Sequence, residues 1–250
     1  MSDRVQLTIE YDGTHYAGWQ RQLNGPSIQQ EVERALHRLT GERVSITGAS
    51  RTDAGVHAVG QCAHVDLTGT IPPERLPFAL NSLLPRDIRI LKGERVGAAF
   101  HARFNARGKE YEYRIFNRRQ PSALRRHFTA HVPLPLDDAA MARAAATLVG
   151  THDFAAFQAS GGTAKTTMRT IHATHLTRQG DELVFTIHGN AFLYNMVRII
   201  AGTLMYVGLH KLPEDAFTQA IETGDRLLLG PTAPPQGLCL NRVFYEAACM

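Results

Sequence analysis

The order in which short strand and helix patterns follow one another constrains this chain of 250 residues more than any other feature. Alternating apolar residues predict strands, and apolar residues three or four apart predict helices. The first part of the chain gives the order of a ferredoxin-like unit, and a similar order follows residue 106. We therefore expect an α+β protein of two ferredoxin-like β-α-β-β-α-β halves, residues 1–105 and 106–250, forming one extended mixed or antiparallel sheet with helices on one face.

The first half has a well-marked helix after its first strand. Residues 5–11 alternate between apolar and polar side chains and predict a strand. Ser27 stands three residues before Gln30, which is the spacing of a helix cap, and Gly41 ends the apolar pattern that follows. The remaining predicted elements of this half are strands at 44–47, 60–67 and 87–96 and a helix at 73–83.

The second half repeats this order only at the level of topology. Its predicted strands are 110–116, 170–177, 182–187 and 238–244, and its predicted helices are 137–149, 192–207 and 214–223. The helix at 192–207 is strongly apolar but contains Arg198. A single guanidinium in such a helix indicates a partner rather than a solvated surface.

Charge is distributed unevenly along the chain. Overall, 27 Lys and Arg nearly balance 23 Asp and Glu, but residues 92–131 contain ten Lys and Arg against three acidic residues. A local excess of this size can bind a polyanion such as RNA. A solvated basic surface would give the same count, so the pattern alone does not decide between the two interpretations.

The composition also excludes several classes of protein. The most apolar stretch, residues 192–209, contains Asn195 and Arg198 and falls short of the roughly 20 apolar residues that span a bilayer, so we expect no membrane segment. The N-terminus has no apolar signal core, so we expect a cytoplasmic protein. The three cysteines form no CxxC pair, so we expect neither a disulfide framework nor a cysteine zinc site.

One loop between two predicted strands concentrates chemically useful residues. Residues 48–58 read GASRTDAGVHA and contain a single carboxylate, Asp53, between Arg51 and His57. The two glycines of the loop allow backbone angles that other residues resist. Loops on a rigid scaffold commonly contain functional residues, but an aspartate that caps a turn would give the same spacing.

A metal site is a further interpretation of this region. His57, Cys62 and His64 are possible ligands, but the H-x-E and P-C-x-x-C elements of zinc deaminases are absent from the sequence around them. Cys62 and His64 lie on one face of a predicted strand, which is typical of packed side chains. We therefore expect no metal.

Several motifs together resemble one family. SRTDAGVHA, at residues 50–58, resembles the GRTDAGVHA motif of the tRNA pseudouridine synthase A (TruA) family, although Ser50 stands where that family usually has Gly. Other blocks resemble the family in the same order, namely YDGTHYAGWQRQ, FHARFNARGKEYEYRI, GTHDFAAF, KTTMRTI, NAFLYNMVRIIAGTL and GLCL. The resemblance extends over residues 7–245 and implies the pseudouridine synthase fold.

The resemblance also implies a reaction. Uridine in tRNA becomes pseudouridine when its N1–C1′ bond breaks and a C5–C1′ bond forms. This isomerisation needs no redox change, so we expect no cofactor. The resemblance further implies that the uridines are at positions 38, 39 and 40 of the tRNA anticodon stem-loop, and that the protein acts as a homodimer.

Three residues are implied in catalysis. Asp53 matches the catalytic aspartate, whose carboxylate could attack C1′ or C6 or abstract the C2′ proton. Arg198 matches the arginine that pairs with it, because a neighbouring cation keeps a buried carboxylate ionised. Tyr111 matches the active-site tyrosine, whose ring can stack on the uracil and whose hydroxyl could help to remove the C5 proton.

Two further residues are implied in substrate binding. Arg51 matches a residue that assists flipping of the target base, and its guanidinium could fill the vacated space or clamp a phosphate. One leucine of GLCL is implied against the base, and we choose Leu238 over Leu240. Tyr113 lies on the same strand face as Tyr111, where we expect it to be a core residue.

Two other functions fit parts of the sequence. A non-catalytic RNA-binding module on the same fold would explain the basic segment, but it gives no reason for Asp53, Tyr111 and Arg198 to match together. A pseudouridine synthase that acts at another RNA position would keep the same chemistry. Release of the C5 hydrogen of uridine tests the first alternative, and mapping of the modified position tests the second.

Overall fold

The computed structural model describes residues 3–23, 25–68 and 71–245. Over these residues the protein is a mixed α+β structure, which confirms the predicted class. The α-helices are α1 (Ile28–Thr40), α2 (Leu76–Asn81), α3 (Asp138–Ala146), α4 (Met196–Gly208) and α5 (Ala216–Thr223). The strands are β1 (Asp3–Tyr11), β2 (Thr47–Gly48), β3 (His57–Leu67), β4 (Ile88–Val96), β5 (Gly108–Asn117), β6 (Ala130–Val132), β7 (Gly150–Asp153), β8 (Met168–Gln179), β9 (Glu182–Gly189) and β10 (Leu238–Phe244).

The chain divides into two compact units. The first unit contains the described residues of Met1–Arg107 and Cys239–Met250, and the second unit is Gly108–Leu238. The change of unit after Arg107 comes two residues after the predicted boundary at residue 105. The C-terminal strand lies almost entirely in the first unit, whereas the sequence-based division counted it with the second half.

The sheet of the first unit is centred on β1 and β3. Its strand order is β4-β1-β3-β10, and the short β2 also pairs with β3. β1 is antiparallel to both of its neighbours, and Leu7 and Ile9 of β1 are fully buried. β10 is parallel to β3, with Cys239 opposite His57. This pairing explains why the C-terminal residues belong to the first unit.

Helix α1 begins and ends where its sequence predicts. Oγ of Ser27 accepts a hydrogen bond from the backbone N–H of Gln30 at 3.3 Å, and Gly41 ends the helix with a φ of 77°. These caps satisfy backbone groups that lack a partner within the helix. The apolar side of α1 is fully buried at Ile28 and Leu36.

The strand predicted at residues 44–47 is wrong for all but its last residue. Glu33, which is buried on α1, accepts hydrogen bonds from the backbone N–H of Ile46 at 3.0 Å and from Oγ of Ser45 at 3.2 Å. A side chain therefore takes the place that a neighbouring strand would occupy. Pairing with β3 begins only at β2.

The sheet of the second unit has the order β5-β9-β8-β7, with antiparallel neighbours. Tyr113 of β5 lies opposite Phe185 of β9, and both side chains are fully buried. Helix α3 packs against α4 and against β8. Two short strands, β6 and β7, were not predicted, because they have only three and four residues.

Helix α4 starts later than its apolar pattern predicts. The pattern begins at residue 192, but Asn195 adopts a left-handed φ of 60° and the helix starts at Met196. Residues 192–195 therefore form a turn before the helix. No α-helix among the described residues is long and apolar enough to cross a bilayer.

Candidate active site

A buried glutamine holds the loop that contains Asp53 through hydrogen bonds to its backbone. Gln61 lies on β3 with no exposed surface. Its Nε2 donates a hydrogen bond to the backbone O of Ser50 at 2.7 Å, and its Oε1 accepts one from the backbone N–H of Ser50 at 3.2 Å. The neighbouring N–H of Ala49 donates to the backbone O of Cys62 at 2.7 Å. The loop therefore leaves the sheet along a fixed path.

The segment YDGTHYAGWQRQ holds the next residue of the loop. The hydroxyl of Tyr11 and Oγ1 of Thr52 share a buried hydrogen bond of 2.7 Å. The backbone O of Thr52 also accepts a hydrogen bond from the N–H of Trp19 at 3.1 Å. Two motifs that lie far apart in the sequence thus form one hydrogen-bonded structure, and Asp53 follows directly after its buried Thr52.

Gly18 allows this close approach between the two motifs. A Cβ atom at this position would lie 2.6 Å from the backbone O of Thr52 and 3.0 Å from the carbonyl carbon of Asp53. Gly18 also has a φ of 102°, which L residues rarely adopt. Any larger residue would push the segment away from the loop that contains Asp53.

The solvent exposure of the side chains differs from one residue to the next along the loop. Arg51 and Ala54 are exposed, Thr52 is buried and Asp53 is half-buried. A turn follows, in which the N–H of Val56 donates to the backbone O of Asp53 at 3.2 Å. An aspartate at the edge of a rigid loop, neither in the core nor fully solvated, fits a carboxylate that acts on a bound molecule.

The two histidines near the loop have structural roles. Nδ1 of His57 accepts a hydrogen bond from the N–H of Gly13 at 3.0 Å, and Nδ1 of His64 accepts one from the N–H of Ala102 at 3.1 Å. Nδ1 of His57 also lies 3.2 Å from Oδ1 of Asp12. Among the residues described, no three His, Cys, Asp or Glu side chains form a group that could hold a metal ion.

Tyr111 lies on β5 in the second unit. It stands opposite Ile187 of β9, and 7% of its surface is exposed. Phe192, in the turn before α4, packs edge-on against its ring, with the ring centroids 5.3 Å apart and the planes at 89°. Edge-to-face aromatic contacts fix ring orientation, so the turn holds the plane of Tyr111.

Tyr113 is a core residue, as predicted. Its ring has no exposed surface, and its hydroxyl donates to the backbone O of Pro234 at 2.9 Å. Burial raises the pKa of this hydroxyl well above its usual value, while the charge of Arg198 acts in the opposite direction. Tyr113 therefore supports the strand on which Tyr111 stands.

Arg198 is half-buried on α4, and two of its hydrogen bonds go to uncharged groups. Its Nε donates to the backbone O of Ala233 at 2.8 Å, and its Nη1 donates to Oδ1 of Asn195 at 2.9 Å. Asn195 is the left-handed residue that precedes the helix. These two acceptors orient the guanidinium of Arg198.

Both leucines of GLCL are buried, at 6% exposure for Leu238 and none for Leu240. Leu238 follows the 3-10 turn Pro235–Gly237 in the second unit, and Leu240 lies opposite Ala58 in the first unit. Burial of this kind is also typical of core leucines. The choice of Leu238 as a substrate contact stays a prediction.

The basic segment is partly neutralised by acids from another part of the chain. Arg118 pairs with Asp181 at 3.4 Å, and Arg125 pairs with Glu182. Both guanidinium groups also lie over the ring of Phe116. The count over residues 92–131 missed these acids because Asp181 lies in the turn between β8 and β9 and Glu182 is the first residue of β9. Arg119 and Arg126 have no acidic partner among the residues that the structure describes.

Gln61 and Tyr11 are site-supporting residues that the sequence analysis missed. A signal was present for Gln61, because a polar amide stands there in a strand pattern whose nearest neighbours are mostly apolar. A buried amide must be hydrogen-bonded, so such a residue indicates a fixed backbone nearby. Its partner could not be read from the sequence, since eleven residues separate it from Ser50.

Comparisons with known proteins agree with these motifs. The family model described as tRNA pseudouridine synthase matches residues 7–105 and 144–246. The chain is 52% identical to tRNA pseudouridine synthase A of Acetivibrio thermocellus, an alignment that covers 96% of this chain and 99% of the relative. It is 46% identical to the protein of the same name from a Thermoanaerobacter species, with the same coverage of both chains. It is 47% identical to that of Ruminiclostridium cellulolyticum, over 97% of this chain and 99% of the relative. The resemblance is thus confirmed, and the chain belongs to the tRNA pseudouridine synthase family, whose members isomerise uridine to pseudouridine in tRNA.

Proposed function

We propose that this protein isomerises uridine to pseudouridine at positions 38, 39 and 40 of the tRNA anticodon stem-loop, with Asp53 as nucleophile or base. The observation that carries the proposal is the loop SRTDAGVHA, whose aspartate is half-buried at the end of a buried hydrogen-bonded path from Gln61 and Tyr11. The relatives named tRNA pseudouridine synthase A match this chain over nearly its whole length, which supports the same substrate.

The reaction breaks one bond and forms another within the same nucleotide. The N1–C1′ bond of uridine breaks, the uracil turns, and C5 bonds to C1′. The C5 proton leaves for solvent and N1 gains a proton, so atoms and charge balance without a cofactor. The Asp53 carboxylate starts the sequence, by attack at C1′ or C6 or by abstraction of the C2′ proton.

Arg198 keeps the catalytic carboxylate ionised in this proposal. A carboxylate removed from water is less acidic, and a neighbouring guanidinium reverses that effect. The oxygens of Ala233 and Asn195 that bind Arg198 support this role, because they fix the orientation of its guanidinium. In this proposal the anionic partner of Arg198 is the carboxylate of Asp53.

Tyr111 is the aromatic group that receives the detached uracil. Its ring orientation is fixed by Phe192, so a base can stack on it without an ordering cost at the moment of reaction. Its hydroxyl is the group that assists removal of the C5 proton. Leu238 provides an apolar contact to the base, which is uncharged and planar.

Arg51 assists eversion of the target base. A base must leave its stack before a carboxylate can reach its ribose, and unstacking costs a few kcal/mol. The Arg51 side chain is exposed beside Asp53, and a planar guanidinium can fill the vacated space or bind the phosphate there. We further propose that the protein works as a cytoplasmic homodimer.

Two substrates test the activity and the position. Full-length tRNA tritiated at uridine C5 releases tritium to water if the protein is an isomerase, and binding without release would support the RNA-binding alternative. Anticodon stem-loops with a single uridine at position 38, 39 or 40 test the site. Each should be converted, and a stem-loop with its uridine elsewhere is the control. Conversion only outside these three positions would overturn the assigned position and keep the chemistry.

A further inference from the structure

A half-buried arginine at the start of β8 has no acidic partner among the described residues. Nη1 of Arg169 donates to the backbone O of Thr166 at 2.9 Å and to that of Met168 at 2.6 Å. Its Nε is buried and has no acceptor within the described part of the chain. Burial lowers the pKa of this guanidinium, which reflects the cost of removing an unneutralised charge from water.

Other arginines of the second unit show how such a charge is usually satisfied. Arg178 stands on the same strand and binds both carboxylate oxygens of Asp138. Arg143 binds both carboxylate oxygens of Glu214. Arg169 instead binds the backbone carbonyl groups of Thr166 and Met168 and, at 3.4 Å, Oγ1 of Thr166, and among the described residues none of its acceptors carries a negative charge. A guanidinium in this state is prepared for an anion that comes from outside the chain.

Arg169 lies beside the turn that supports the predicted catalytic residues. Its neighbour Thr170 accepts a hydrogen bond from the N–H of Asn190 at 2.9 Å, and Thr170 N–H donates to Oδ1 of Asn190 at 3.1 Å. The turn that follows contains Phe192, which packs on Tyr111, and Asn195, which binds Arg198. Thr170 thus connects Arg169 to this turn.

The loop before β8 joins the same region and adds a second cation. The N–H of Ala159 donates to the backbone O of Tyr194 at 3.1 Å, which ties the loop to the turn. Lys165 is exposed on this loop, directly before the Thr166 carbonyl that anchors Arg169. An exposed ammonium therefore directly precedes, in the sequence, the residue that anchors the guanidinium of Arg169.

We propose that Arg169, assisted by Lys165, binds a backbone phosphate of the RNA next to the target nucleotide. The proposal rests on the proposed function, because it takes RNA as the anion. The planar guanidinium suits the oxygens of a phosphate. Nη1 is already used by the two carbonyl groups and by Oγ1 of Thr166, so Nη2 is the donor that we assign to the ligand. The phosphate supplies the negative charge that the described residues do not.

A structural role for Arg169 makes a different prediction. An arginine that only ties the loop to β8 acts through its hydrogen-bond donors and not through its charge. A glutamine, which is neutral but has an N–H donor, would then replace part of its function. An arginine that binds phosphate contributes to the salt dependence of RNA binding. Each phosphate contact in single-stranded RNA adds about 0.7 to the slope of log K against log salt, and each in a duplex about 0.9.

The test compares three variants of the full chain in binding to unmodified full-length tRNA between low and moderate salt. Arg169→Gln should lower the salt slope by about 0.7–0.9. Arg169→Lys should keep most of the slope. The matched control, Arg178→Gln, removes a charge from the same strand that Asp138 already neutralises, so its slope should equal that of the parent. A salt slope for Arg169→Gln equal to that of the parent would overturn the proposal. So would a fall in the slope of Arg178→Gln as large as that of Arg169→Gln.

Failure of this proposal and failure of the proposed function are distinguishable. Salt slopes report binding without any chemistry, whereas tritium release reports isomerisation. A parent protein that binds tRNA and releases no tritium would sink the proposed function, and the Arg169 slope would still decide the phosphate contact. If Arg169→Gln does not fold, Arg169→Lys and Lys165→Gln decide. We expect Arg169→Lys to keep most of the parent slope and Lys165→Gln to have a lower slope. An unchanged slope for Lys165→Gln in that case would overturn the proposal.

Discussion

The side-chain amide of Gln61 binds both backbone polar groups of Ser50, donating to its carbonyl O at 2.7 Å and accepting from its N–H at 3.2 Å. A paired hydrogen bond of this kind fixes a residue in position and in rotation, as a neighbouring strand would. Asp53 lies three residues further on. The position of the proposed catalytic carboxylate therefore depends on Gln61, a neutral residue of β3.

Replacement of Gln61 by leucine should lower activity and stability together. Loss of a buried partner for two backbone groups costs about 1–3 kcal/mol for each unsatisfied group. A loop displaced by about 1 Å can cost about 100-fold in rate, so we expect kcat to fall more than KM rises. Steady-state tritium release and urea unfolding measure the two effects. Gln179→Leu, at an exposed end of β8, should change neither, and parent kcat in a folded Gln61→Leu would contradict this role.

Gly18→Ala should destabilise the first unit. The new Cβ would lie 2.6 Å from the backbone O of Thr52, and a φ of 102° is strained for alanine. Strained backbone of this kind costs about 1–3 kcal/mol before the clash is counted. Denaturant unfolding checks the loss. The control is Gly97→Ala, where a Cβ would meet nothing within 4 Å, and equal effects at the two glycines would contradict the close approach.

His64 should make the protein less stable in mild acid. Burial, and then the charges of His101 and Arg4, lower the pKa of His64 below its usual 6.5, while Asp66 acts in the opposite direction. The unfolded chain therefore takes up the proton first as pH falls through about 6.5, and folding stability decreases from there downward.

The free energy of unfolding, measured from pH 7.5 to pH 5, checks this dependence. His64→Asn keeps an oxygen that can accept from the N–H of Ala102 and does not titrate, so its stability should fall less steeply with acid than that of the parent. An identical slope in His64→Asn and the parent would remove His64 as a cause.

Within the basic segment, neighbouring arginines should differ in their effect on tRNA binding. Arg118 and Arg125 are paired with Asp181 and Glu182, so their replacement by glutamine should change the salt slope little. Arg119→Gln and Arg126→Gln remove charges without an acidic partner among the described residues, and each should lower the slope by about 0.7–0.9 if it contacts a phosphate.

Titration of tRNA binding with salt measures these slopes for all four variants. Each paired arginine serves as the control for its neighbour, since the two lie in one segment and lose the same charge. Equal slopes for the four variants would show that the ion pairs do not determine which arginines reach RNA. Parent slopes throughout would remove the segment from the binding surface.

The fold was predictable where the determining interactions are local. The ends of α1 follow from Ser27, Gln30 and Gly41, all within or beside the helix. Residues 44–46 were mispredicted because Ile46, through its backbone N–H, and Ser45, through its hydroxyl, bind the side chain of Glu33, which lies 13 and 12 residues away in the sequence. Pattern alone cannot find such a partner, since a buried carboxylate on a helix looks like any other glutamate in the sequence.

The candidate site was predictable in its residues but not in its supports. Asp53, Arg198 and Tyr111 came from motifs that resemble a family, and they remain predictions as catalytic groups. Gln61, which fixes the loop, lies in no motif that the sequence analysis used. The sequence could not show either that Arg169 has no acidic partner in the described part of the chain, because a residue pattern does not reveal which arginines lie near an acid.

The central claim is that the Asp53 carboxylate performs the isomerisation, and Asp53→Asn tests it most directly. The substitution keeps the size of the side chain and removes its charge, so tRNA binding should persist. Tritium release from uridine C5 should fall at least about 100-fold, the lower limit of what a general base contributes. Asp215→Asn, in the second unit before α5, should keep the parent rate. Tritium release by Asp53→Asn at the parent rate, with tRNA bound as tightly as by the parent, would contradict the account.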